Sequence, residues 1–219
     1  MNSLLLPEVQ DVLDRLHDLA DVRDETIIQR VRGNETVWNA ATSAQKAAML
    51  RDALLPVSKD AGRFLYAVAR SIAAKRIVEF GTSFGVSTIY FAAALKDNRG
   101  GVIIGSELDD SKVTKATQHL TAAGLYQFTD IRPGDALQTL RDVGEKVDLL
   151  FLDGWKLMYP DVLKLVIPSL RQGAVVLADD VTLFPDDVAS YLAFVRDPAN
   201  GFVTATLPLG DGIEYSVRL

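Results

Sequence analysis

The sequence predicts an α/β fold: a seven-stranded, mostly parallel sheet with helices on both faces, a closing antiparallel hairpin and a helical extension in front. Three observations carry this. From Ser58 onward, short apolar runs alternate with segments of helical periodicity. The runs VDLLFL and AVVLA are almost wholly apolar, as strands covered on both faces are. The last two runs, residues 202–207 and 213–219, flank Gly210-Asp211-Gly212, a hairpin turn signal.

The elements follow in order. Val9, Leu13, Leu16 and Leu19 recur at helical spacing, with Asp11, Asp14, Arg15 and Asp18 between them. A second helix is expected to begin near Asp24. A third, capped by Thr42 and Ser43, carries Ala47, Met49, Leu50 and Leu54. Short helices in such a position either cover a site or form an oligomer contact. The expected division is therefore a helical cap or oligomerisation extension over residues 1–55 and an α/β domain over residues 56–219. In that domain Ser58 precedes a helix with Phe64, Leu65, Val68 and Ile72. Strands are expected at 76–80, 102–107, 128–131, 147–152 and 174–178. Helices at 87–95, 111–122, 136–140, 162–170 (with a start near Pro160 also open) and 188–195 connect them.

Bulk properties narrow the chemistry. The formal charge of -6 does not favour an electrostatic nucleic-acid binder. With no cysteine, disulfides, thiolate nucleophiles and zinc–thiolate sites are excluded. Two histidines, His17 and His119, cannot make a histidine-rich metal centre. Any metal must then be held by oxygen, which favours a hard cation. The N-terminal apolar run lacks a basic region before it, and no stretch approaches the roughly 18 to 20 apolar residues of a bilayer span. A cytoplasmic protein with no membrane partner is expected.

Ligands of open α/β sheets bind beyond the carboxyl ends of the strands, so the residues there are the candidate site. Strand one leads into Glu79-Phe-Gly81-Thr-Ser-Phe-Gly85, whose two glycines suit a tight turn close to a ligand. The pattern lacks the third glycine of the GxGxxG dinucleotide motif, and Glu79 would repel a diphosphate but welcome a cationic amine. That favours S-adenosylmethionine over NAD. Glu107, closing strand two, can accept both ribose hydroxyls of an adenosine. Strand three is followed by Gly134, Asp135 and Ala136, where Asp135 can accept from the adenine amino group.

Asp153, Asp179 and Asp180 follow strands four and five. Three carboxylates so close would repel one another unless a cation, Mg²⁺ first and Ca²⁺ or Mn²⁺ next, relieved them. Lys156 stands just beyond Asp153. Near a metal and in a partly dry pocket its pKa is expected to fall far enough for general-base work. Trp155 can cover the methyl donor or the flat face of a substrate.

Together these segments resemble the cation-dependent O-methyltransferases, the group of catechol and caffeoyl-CoA type enzymes, over roughly residues 55–219. VSKDAGRFL resembles their entry segment, IVEFGTSFGVST their glycine loop, SELD their ribose-binding strand end, FLDGWK and LADD their two metal blocks, and LPLGDG their closing hairpin. The resemblance implies a Rossmann-like class I methyltransferase fold. It implies that Val57, Glu79, Gly81 and Ser87 meet the cofactor, with Glu107, Asp135 and Ala136 on the adenosine side and Asp153 and Trp155 near the methyl. It implies Asp153, Asp179 and Asp180 as metal ligands, Lys156 and Asp153 as catalytic residues, a small catechol-like or vicinal-diol substrate, and a homodimer. Two departures stand out. Asp180 occupies a place where the family usually has Asn, which lowers the net charge on a bound cation. Gly154 occupies a place where the catechol enzyme has histidine, which is expected to open space beside the lysine. The rival readings are a metal-independent methyltransferase acting on another hydroxyl or a nitrogen, an NAD-dependent oxidoreductase, and a non-catalytic binding or dimerising protein.

Overall fold

A computed structural model describes residues 2–183 and 185–219, except for the side chains of Glu35, Asn39, Ser43 and Ala44. The chain opens with α1 (Pro7–Arg32), α2 (Glu35–Ala40) and α3 (Ser43–Met49). The expected break near Asp24 does not occur: α1 runs unbroken for 26 residues. The apolar stripe of Val9, Val12, Leu13 and Leu16 continues through Ala20 to Ile27, so the pattern never changes face and the helix has no reason to stop. Thr42 caps α3 as expected, in a capping box with Gln45. The Ser43 side chain lies outside the described residues.

Ser58 then caps α4 (Lys59–Ser71) by accepting from the Ala61 amide. The alternation that follows is β1 (Arg76–Phe80), α5 (Val86–Asp97), β2 (Val102–Glu107), α6 (Asp110–Ala122), β3 (Thr129–Pro133), α7 (Ala136–Thr139), β4 (Val147–Leu152), α8 (Tyr159–Val166), β5 (Leu170–Ala178), α9 (Pro185–Arg196), β6 (Phe202–Leu207) and β7 (Ile213–Arg218). The helix expected over 162–170, with a start near Pro160, begins there but ends sooner. Tyr159 and Pro160 begin it, and from Leu170 the chain is already paired with β4.

Among the described residues the sheet has seven strands in the order β3-β2-β1-β4-β5-β7-β6. All neighbours are parallel except β7, which runs antiparallel to both β5 and β6. The strand order turns back between β1 and β4, which is where an open α/β sheet leaves a crevice. Alternate residues of the central strands feed two cores. Ile77, Leu149, Phe151, Val175 and Leu177 pack with α4, α5 and α1, whereas Val78, Leu150, Leu152, Val176 and Ala178 pack with α8 and α9. Helix α5 is apolar on every side and buried from Val86 to Leu95, because α1 and α4 cover the faces that the sheet does not. None of the described helices is long and apolar enough to cross a membrane.

Candidate active site

The strand ladders place the acidic residues. Phe80 pairs with Leu152, and Leu152 with Ala178, so β1, β4 and β5 end level with one another. One further bond continues each ladder. The Asp153 amide donates to the Phe80 carbonyl and the Asp179 amide to the Leu152 carbonyl, both at 2.9 Å. Two carboxylates therefore leave the sheet side by side. Asp180 adds a third from a left-handed backbone (φ 59°), a conformation that Asp tolerates better than most residues. One carboxylate oxygen from each of the three lies within 4.8 Å of the others.

This crowding fits a hard cation. Burial pushes the Asp153 carboxyl well above its ordinary range, and Asp179, Asp180 and Glu79 push the same way against the pull of Lys156. Burial and then Asp180 carry Asp179 up to about 7. Three oxygen donors that resist sharing their negative charge are a donor set that a divalent cation satisfies.

Lys156 lies in a single 3-10 turn (Lys156–Met158) between Trp155 and α8. Its Nζ is 2.9 Å from Asp180 Oδ2 and 3.5 Å from Asp153 Oδ1, and it donates to the Tyr159 hydroxyl at 2.8 Å. Tyr159 is fully buried, donates in turn to the Asp179 carbonyl at 3.2 Å, and is wedged edge-on between Phe80 and Tyr191. The fall expected of the Lys156 pKa beside a metal is not found from the side chains alone. Burial pulls the amine down, but Tyr159, Asp153 and Asp180 outweigh it and hold the ammonium above its ordinary value. The expected space at Gly154 is not found either. A Cβ there would stand 2.5 Å from the Phe80 ring, so the aromatic side chain already fills it.

The adjoining cleft is walled by residues 54–57, the glycine loop and Asp153. Of the residues expected to meet a cofactor, Val57, Gly81, Ser87 and Asp153 line this one cleft. Gly81 has φ 98° and packs so closely that a Cβ would stand 2.5 Å from the Asp153 carbonyl. Only glycine lets the loop and the end of β4 come together there. Glu79 is not on the cleft surface. It is fully buried beneath the loop, where Thr82, Ser87 and Thr88 donate their hydroxyls to it at 2.9, 2.7 and 2.6 Å. Burial raises its pKa against those three bonds.

Glu107 ends β2 and accepts from the Ser83 and Asp109 amides at 2.7 and 2.9 Å, which turns its carboxylate toward the glycine loop. Asp135 caps α7 by accepting from the Leu137 amide, with Ala136 buried behind it. Both stand at neighbouring strand ends, since Glu107 pairs with Pro133 and its carbonyl accepts from Gly134.

Two residues outside the sequence-predicted set also enter the site. Tyr159 is three positions past Lys156, a spacing that puts both side chains on one helical face. Trp38, from α2, meets Trp155 with ring centroids 6.0 Å apart, and Lys46 lies 5.1 Å from the Trp38 centroid. The sequence signal for Trp38 is slight: it is one of only two tryptophans in the chain. This contact sets α2 beside Trp155.

Comparison with known proteins agrees with this geometry. Residues 78–181 match a family described as a methyltransferase domain. A catechol O-methyltransferase of Niastella koreensis is 34% identical over 131 residues, covering 58% of each chain. The match thus spans rather more than half of that relative's length. A catechol O-methyltransferase of Mycobacterium tuberculosis is 31% identical over 159 residues, covering 72% of this chain and 69% of that enzyme. Among solved structures, the O-methyltransferase TomG of Streptomyces achromogenes, involved in tomaymycin synthesis and determined with S-adenosylmethionine, superposes with a TM-score of 0.69 at 27% identity, covering 81% of this chain and 90% of that one. The sheet order, the superposition and the extent of these matches lead to one conclusion: the chain belongs to the class I S-adenosylmethionine-dependent O-methyltransferases, related to the catechol and caffeoyl-CoA enzymes.

Proposed function

We propose that the protein methylates a hydroxyl of a small catechol-like or vicinal-diol substrate, with S-adenosylmethionine as donor and a divalent cation as assistant. The observation that carries this reading is the contact of Lys156 with a three-carboxylate cluster whose Asp153 also lines the cofactor cleft. When bound, the cation would supply a Lewis acid for the substrate hydroxyl and the donor its methyl group.

The remaining roles belong to the chain. Asp153, Asp179 and Asp180 hold the cation. Val57, Gly81 and Ser87 hold the methionine end of the donor, Glu107 the ribose, and Asp135 and Ala136 the adenine side. Glu79 keeps the loop in shape from beneath. Trp155 and Trp38 present aromatic surface for a flat substrate. Lys156 takes the hydroxyl proton. Its amine is held protonated by Asp153 and Asp180, so neutralising those carboxylates frees it to act as a base. The substrate oxygen then forms the new O–CH₃ bond as the S–CH₃ bond breaks, its electron pair staying on sulfur to give S-adenosylhomocysteine. Positioning supplies much of the rate.

The test is transfer of labelled methyl from S-adenosylmethionine to catechol, with Mg²⁺ and after chelation. Turnover that requires Mg²⁺ and is lost in Lys156→Ala supports the reading, and turnover indifferent to both sinks it. The 2.9 Å Lys156–Asp180 pair favours a second reading, since it neutralises one carboxylate without any metal. Full turnover after chelation that still depends on Lys156 would select that metal-independent enzyme. We also take the protein to be a cytoplasmic homodimer. Val22, 76% exposed on α1, is apolar surface that a second copy can cover, and sedimentation checks it.

A further inference from the structure

Residues 50–57 form a strap between α3 and α4, and four of them, Leu54, Leu55, Pro56 and Val57, make one wall of the cofactor cleft. The strap has no regular structure, and Leu55 has φ 45°, a conformation that a branched side chain resists. Something outside the strap must hold it there.

Two buried charges do so from opposite sides. From α1, Asp24 is 7% exposed. Its Oδ1 accepts from the Leu54 amide at 2.8 Å and its Oδ2 from the Leu55 amide at 2.7 Å. Both carboxylate oxygens are thus committed to the amides of the strained residue and of the residue before it. From α6, Lys112 is 9% exposed and donates to the Ala53 carbonyl at 3.0 Å and to Ser83 Oγ at 3.2 Å. Ser83 Oγ donates to the Leu54 carbonyl at 3.1 Å, and the Ser83 amide donates to Glu107. The Leu54 and Leu55 amides therefore face a fixed anion, the Ala53 carbonyl a fixed cation and the Leu54 carbonyl a hydroxyl that this cation also holds. Charge-assisted bonds of this kind are about twice as strong as neutral ones.

We infer that Asp24 and Lys112 are positioning residues for the methyl donor: they preorganise the strap and tie it to the glycine loop, so that the cleft is set before the donor arrives. This rests on the reading of the cleft as the donor site. A preformed wall spares the donor the entropy of ordering it, so the effect belongs in donor affinity rather than in chemistry. Neither residue touches the acid cluster, and Asp24 lies well outside the matched methyltransferase stretch.

The experiment is calorimetric titration of the full-length protein with S-adenosylhomocysteine, beside steady-state kinetics and thermal unfolding, for wild type, Asp24→Asn, Lys112→Met and Asp14→Asn. The last breaks the exposed Asp14–Lys59 pair on the same helix and serves as control. Asp24→Asn and Lys112→Met are expected to weaken binding about tenfold and to raise the donor KM equally, with kcat within twofold of wild type. Asp14→Asn is expected to bind as wild type does. Wild-type affinity in folded Asp24→Asn and Lys112→Met overturns the inference, as does an equal loss in Asp14→Asn. Should Asp24→Asn fail to fold, Lys112→Met decides alone by the same criterion. A wild-type protein that takes up no S-adenosylhomocysteine removes the donor-site reading itself, a result distinct from any difference among variants.

Discussion

Lys156 Nζ lies 2.9 Å from Asp180 Oδ2, with both side chains largely enclosed. The ammonium thus occupies part of the charge environment that a cation would enter. Each must lose some of the other's attraction, because the same three carboxylates serve both. Replacing Lys156 with Met is therefore expected to strengthen Mg²⁺ binding by about tenfold, the scale of one close charge pair, while methyl transfer falls to background. Calorimetry with Mg²⁺ reads the first and the methyl-transfer assay the second. Unchanged or weaker Mg²⁺ binding would show that the lysine does not compete.

Gly154 and Phe80 make a second dependent pair. A Cβ at Gly154 would stand 2.5 Å from the ring, and that ring is braced by Tyr159. Gly154→Ala is expected to cost about 1–3 kcal/mol of stability by overpacking. Shortening the ring in a Phe80→Leu background should recover part of the loss. Chemical denaturation of the two single variants and the double variant measures the coupling, and strict additivity would argue that they do not meet.

Trp38 meets the site through its contact with Trp155. Trp38→Ala should raise the KM for an aromatic diol by roughly tenfold, the order of one aromatic contact. Affinity for S-adenosylhomocysteine should stay near wild type. Equal losses for both ligands would assign Trp38 to the fold rather than to the substrate side.

Acid stability should depend on Glu214. It is fully buried in β7, bonded to Arg196, Thr204 and Thr206. Burial pushes its pKa up, but the Arg196 and threonine bonds outweigh that and leave it below the ordinary 4.5. A depressed folded-state pKa means that the unfolded chain binds the proton first. The stabilisation is therefore complete above pH 4.5 and is lost as pH falls through the lower folded value. Glu214→Gln should be less stable than wild type at pH 7, with the gap closing below pH 4. Melting temperatures across that range test it.

Much of this molecule is legible in its amino-acid order. Strands such as VDLLFL are apolar on both faces, and their periodicity differs plainly from that of the helices, so the sheet and its helical layers follow from pattern. The strand ends then locate Asp153, Asp179, Lys156 and Glu107, because in a parallel sheet the ligand side is set by chain direction alone. Local caps at Thr42 and Ser58 are readable because each depends on residues within one turn.

What the tertiary structure alone decides involves contacts between distant segments. The Lys156 amine is held up rather than down because two carboxylates and a tyrosine converge on it, and spacing along the chain does not show how charge and burial balance. The room at Gly154 is taken by Phe80 from a neighbouring strand, and Glu79 is sealed in by three hydroxyls. Trp38 covers Trp155, and Asp24 grips the strap 30 residues ahead of it, only because α1 packs on α5 and turns the chain back over the cleft. Periodicity records which face of an element is buried; what that face meets is decided when the elements pack.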